Sequence, residues 1–147
     1  MLLYLIILTN FQTKTLSMWK EDLPERCPTN KAIDYEGSVF RVTKTNTPSI
    51  DDFKVYAKLY PDNPRYKQLC EAYAISFYDT LSNAKEAVQK SIERNNKLGD
   101  YIAHYNLCKD DGKSHLNGSS GHINTWFYSK SQFDIFSPIN ISEVNED

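Results

Sequence analysis

The chain has 147 residues, 40% hydrophobic, 13% aromatic and 24% charged, with a formal net charge of -2. That balance excludes a disordered chain and supplies enough apolar material for one core without disulfide or metal staples. It also excludes a general nucleic-acid binder, because such affinity rests on clustered positive charge and no Lys/Arg run here exceeds a dipeptide. Cys27, Cys70 and Cys108 are far apart and odd in number. They match neither a disulfide framework nor a paired CxxC zinc site, so a reducing, cytoplasmic location is expected.

Residues 2–8 are apolar, with no basic residue before them and no small-residue cleavage site after them, and the run is too short to span a bilayer. It can be a buried terminal strand, a membrane-surface segment or an extension ahead of the domain. Residues 18–24 read as a natural start, so residues 1–17 are taken as an N-terminal extension and 18–147 as a single domain, with no membrane span. Pro24 and Pro28 then hold the lead-in extended or turned.

Gly37 opens Ser38-Val39-Phe40-Arg41-Val42-Thr43, whose β-branched and aromatic residues predict a strand with Arg41 in its middle. Ser49, Asp51 and Asp52 mark a short helical turn, and Pro61-Asp62-Asn63-Pro64 a turn or loop. The apolar run over 72–78 predicts a buried strand that carries Ser76. The main helix is predicted over about 82–97: Ser82 as N-cap, Ala84, Ala87, Val88, Ser91 and Ile92 on one face, and Lys97-Leu98-Gly99 as a basic last turn and stop. Its charged residues read as a solvated face.

Residues 101–107 predict a strand and 109–112 a turn in which Gly112 takes the left-handed position, hence a hairpin. Beyond a Gly/Ser loop, residues 122–128 alternate with period two, separating Ile123, Thr125 and Phe127 from His122, Asn124, Trp126 and Tyr128. Segments 133–135 and 139–141 supply a last strand. The expected class is therefore α+β, a mostly antiparallel sheet with one main helix and short helical turns.

This order of elements resembles the ADP-ribosyltransferase-like fold. Phe40-Arg41-Val42 is similar to the family's early strand, which presents an Arg or His to a dinucleotide. Ile75-Ser76-Phe77 and the helix after it look like the element that props the nicotinamide pocket. The resemblance covers most of residues 37–141 and points to NAD as the dinucleotide, while the residues themselves name no cofactor. His122-Ile123-Asn124 sits where the family's acidic motif would stand and cannot supply the carboxylate that holds the ribose and stabilises charge as nicotinamide leaves, so either the chemistry differs, another carboxylate enters, or the site only binds. The Leu-Pro-x-x-Cys-Pro opening at residues 23–28, with His122 and Trp126, is also similar to a family of small uncharacterised bacterial proteins.

Four residues are candidate ligand-binding groups. Arg41 can clamp a phosphate or carboxylate through its planar fork, or pair with a surface carboxylate. Ser76 can orient a ligand or satisfy a backbone group, and it has no His-Asp pattern nearby in sequence to make it a nucleophile. His122 can act as donor or general base at neutral pH, or as a structural histidine, and it alternates with Trp126 beside the Gly/Ser loop. His104, His115 and Cys108 match no standard metal spacing. Ten tyrosines favour a binding function. The expected activity is recognition of a nucleotide-like or small anionic molecule, with a non-enzymatic protein-interaction module, an immunity or accessory protein, as the alternative.

Overall fold

The computed structural model describes residues 17–145. Six strands form one antiparallel sheet: β1 (Gly37–Thr43), β2 (Ile75–Tyr78), β3 (Tyr101–Leu107), β4 (Gly112–Asn117), β5 (His122–Phe127) and β6 (Asn140–Glu143). Their spatial order is β4-β5-β2-β1-β3-β6. Short helices α1 (Tyr56–Leu59) and α2 (Pro64–Gln68) lie between β1 and β2, flanked by 3₁₀ turns over Ile50–Phe53 and Cys70–Tyr73, and the long helix α3 (Leu81–Glu93) follows β2. The chain is thus α+β, as its sequence predicts. Residues 1–16, which hold nearly all of the expected extension, lie outside the described residues. Among the described residues no helix is long and apolar enough to cross a membrane.

Two boundaries move. Helix α3 starts earlier than predicted because Thr80, not Ser82, caps it: the Thr80 hydroxyl accepts from the Asn83 N–H at 3.0 Å. It stops at Glu93, short of Lys97, because Asn95 turns left-handed with φ of 56°. The buried Ser91 hydroxyl secures the exit, accepting from the Leu98 N–H at 3.1 Å. The apolar run over 72–78 is strand only from Ile75. Its first part belongs to the 3₁₀ turn over Cys70–Tyr73.

The predicted hairpin after β3 does not form, because both edges of β3 are already taken. β1 pairs with it from Gly37 opposite Leu107 to Thr43 opposite Tyr101, and β6 occupies the other edge. β4 pairs with β5 instead. Gly112 is accordingly not a left-handed turn residue; a Cβ there would strike the Trp126 carbonyl on the neighbouring strand, so close approach demands glycine. Residues 133–135 form no strand. Phe133 is a core ring, 4.8 Å from the Tyr105 ring and 5.2 Å from Phe127, and the Ile135 carbonyl accepts from the Tyr105 hydroxyl at 2.6 Å.

Pairing register assigns the side chains to faces. Val39, Ile75, Phe77, Ala103, Tyr105, Leu107 and Ile123 form the main core on one face, covered by Phe53, Val55 and Phe133. Phe40, opposite both Tyr78 and His104, marks the other face, and Tyr78 in turn lies opposite His122. Helix α3 covers part of this second face, burying Ala84, Val88 and Ser91. Its far end is covered by the N-terminal lead-in, where Trp126, Ala32 and Ala74 make a second cluster with Leu23, Cys27 and Cys70.

The cysteines depart from expectation. Cys27 and Cys70 form a disulfide with a Cα–Cα distance of 5.4 Å, while Cys108 is free and exposed. The two partners are 43 residues apart. Only the folding of the lead-in over Trp126 brings them together.

Candidate functional site

On one flank β1 pairs with β3 along its whole length, but on the other it meets β2 at a single position, Phe40 opposite Tyr78. The ladder opens beyond that pair, and Arg41 fills the opening. Its Nε and Nη2 donate to the Asp52 carbonyl at 3.0 and 2.6 Å, and its Nη1 donates to the Ser76 carbonyl at 2.9 Å. The guanidinium also lies 5.6 Å from the centre of the Phe53 ring. Burial pushes the Arg41 pKa down, against the raising influence of Tyr56, Asp52, Tyr78 and Tyr105.

Among the described residues, Arg41 makes no ion pair with a carboxylate. The nearby Asp52 carboxylate is committed elsewhere, accepting from the Lys44 and Ser49 N–H groups at 3.0 and 2.9 Å. The charge of Arg41 is therefore met directly by carbonyl dipoles, with the Asp52 carboxylate acting on it without a hydrogen bond.

A cleft of about 540 Å³ lies against this opening. Arg41, Lys44, Lys54 and Lys97 line it with two carboxylates, Asp51 and Asp52, and Lys97 is paired with Asp100, so its wall carries a small cationic excess although the chain is net negative. Tyr56, Tyr60 and Tyr78 add aromatic surface. The Tyr56 and Tyr60 rings are 6.0 Å apart and both approach Tyr66, at 5.9 and 5.7 Å. Burial raises the Tyr78 pKa, a shift that Arg41 opposes, so the phenol stays a hydrogen-bond donor at neutral pH.

Ser76 joins this cleft to a second group. Its carbonyl accepts from Arg41, and its hydroxyl lies 3.0 Å from His122 Nε2. By register Arg41 and His122 project from opposite faces of the sheet, since Phe40 shares the face of Tyr78 and His122. His122 opens onto a neighbouring cleft of about 240 Å³ beneath α3, with Asn83, Lys90 and Ser120 in its wall. Tyr78 lines both clefts and divides them. Burial, and then Arg41, lower the His122 pKa, so the imidazole is neutral at pH 7 and the Ser76–His122 contact is a neutral hydrogen bond.

The single cleft expected of Arg41, Ser76, His122 and Trp126 does not form: Arg41 and His122 line separate clefts from opposite faces of the sheet, Ser76 touches both residues, and Trp126 lies apart. Trp126 is 1% exposed, and its indole N–H donates to the Cys70 carbonyl at 3.0 Å. It packs the sheet end under the disulfide and lines neither cleft. His104 also serves packing, stacking on Phe40 at 4.5 Å and bonding the Ser38 hydroxyl. Sequence reasoning missed Lys44, Lys54 and Lys97, which are isolated lysines in separate segments. Tyr56 and Tyr60 carried a usable signal, being four residues apart on a short helix.

Comparison with protein-family models, curated proteins and solved structures gives no match.

Proposed function

We propose that the cleft at the β1–β2 opening binds a small anionic ligand that carries an aromatic ring, of the nucleotide kind. Arg41 carries this reading: a half-buried guanidinium in no ion pair among the described residues, lining a cleft with Lys44 and Lys54, which are in none either. Burial of this charge costs free energy that the carbonyls and Asp52 offset in part, and an anionic ligand offsets more of it. Lys44 and Lys54 meet the phosphates, Lys97 being paired with Asp100, and Tyr56, Tyr60 and Tyr78 offer stacking surface for a base. Ser76 and His122 stand behind Tyr78 as hydrogen-bonding groups, with no nucleophilic step assigned to them.

The ADP-ribosyltransferase-like resemblance makes NAD the first probe. Thermal unfolding with NAD, ADP or inorganic pyrophosphate is expected to rise in melting temperature with the first two and less with the third. Lys44→Glu with Lys54→Glu, both on exposed side chains, removes the rise without removing the fold. No shift with any of the three ends this reading. The alternative protein-docking role draws on the exposed Ile50, Tyr56, Leu59 and Tyr60 beside the same cleft. It predicts that Tyr60→Ser leaves the nucleotide titrations flat and unchanged.

The cytoplasmic location expected from unpaired cysteines loses its footing once Cys27 and Cys70 pair. A disulfide of this kind persists in oxidising compartments, which the bridge favours.

A further inference from the structure

On the main-core face a cavity of about 140 Å³ lies beside Phe53, Val55, Ile75, Phe127 and Phe133. We infer that it is a second binding site, for a benzene-sized aromatic ring bearing one polar or anionic group. Size sets the first limit, because a space of ~150 Å³ takes one benzene-sized ring; this one is open on one side, where polar groups line it.

The wall sets the second. Phe53, Phe127 and Phe133 are mutually close, with Phe133 at 6.0 Å from Phe53 and 5.2 Å from Phe127. Rings at such spacings offer edges and faces to a guest ring as they do to each other. Polar groups set the third limit. The cavity is also bounded by Lys20 and Ser129, both exposed, and by Glu21. Glu21 is neutralised by Lys58 at 2.8 Å. Ser129 is committed, its hydroxyl donating to the Ser17 carbonyl at 2.6 Å. Lys20 is in no ion pair among the described residues and is the group that meets the substituent of the guest.

This site shares one wall with the cationic cleft. Phe53 and Val55 line the cavity, while Asp52, Lys54 and Tyr56, their neighbours in the chain, line the cleft.

The test is a titration of the protein with benzene, phenol and benzoate, followed by two-dimensional NMR of the phenylalanine and isoleucine side chains. Saturable shifts at Phe53, Ile75, Phe127 and Phe133 are expected with all three probes. Val55→Phe fills the cavity and abolishes them, and Val55→Ile, the milder filling, weakens them several-fold. Lys20→Ala weakens benzoate several-fold and leaves benzene unchanged, and Lys44→Glu with Lys54→Glu leaves all three unchanged. Absence of saturable shifts with every probe overturns the inference. So does binding in the Val55 variants equal to that of the parent, or benzoate binding indifferent to Lys20.

Discussion

The two flanks of β2 differ in kind. Toward β5 it pairs at four consecutive positions, from Ile75 opposite Thr125 to Tyr78 opposite His122, and the sheet end beyond is closed by buried Trp126 under the Cys27–Cys70 bridge. Toward β1 it pairs once, and the gap is filled by a cation. Backbone groups on the closed flank satisfy each other, whereas the Asp52 and Ser76 carbonyls on the open flank need a side chain. A site can form where the ladder leaves work for side chains, and the contrast predicts that damage to one flank costs stability alone while damage to the other also costs binding.

The largest expected effect is on the closed flank. Removing the bridge with Cys27→Ser and Cys70→Ser lowers stability by about 2–4 kcal/mol, the range for a loop of this length. Denaturant unfolding measures it, and nucleotide affinity of the remaining folded protein should be unchanged. A stability loss below that range, or an equal loss of affinity, would dissolve the distinction between the flanks.

Next is the open flank. Arg41→Met keeps the apolar stem but leaves two carbonyls without a donor, costing about 1–3 kcal/mol. Here the thermal shift with NAD should vanish as well. A variant that is destabilised yet still responds to NAD would place the ligand elsewhere.

The smallest effect is one of pH. Because burial and then Arg41 depress the His122 pKa, the folded chain binds fewer protons than the unfolded chain. The contribution of His122 to stability is complete above about pH 6.5, the unfolded value, and is lost as pH falls from there through the folded value. His122→Gln should flatten the fall in melting temperature as pH drops below about 6.5. An unaltered slope would show that the imidazole is not held neutral by its neighbours.

What the sequence disclosed was short in range. The β-branched run around Arg41, the alternation of residues 122–128 and the buried face of α3 at Ala84, Val88 and Ser91 are local patterns, and each formed. The same helical pattern overreached at Ile92, which is 39% exposed. The hairpin after β3 failed because turn chemistry at residues 109–112 says nothing of β1, which holds the edge the hairpin needs. Within the candidate site, Arg41, Ser76 and His122 each drew notice from position in a strand, but their meeting at Ser76 depends on the single β1–β2 pair. Trp126 drew the same notice because alternation alone cannot tell a pocket wall from a buried plug. The cleft lysines and the disulfide arise from segments joined only by the fold.

The shared wall of residues 52–56 has a thermodynamic consequence. A guest in the cavity that fits one position of this wall better than another must alter anion affinity on its far side, and the anion must alter guest affinity by the same factor. Five consecutive residues would then make the two sites a linked pair of equilibria, with each ligand an effector of the other.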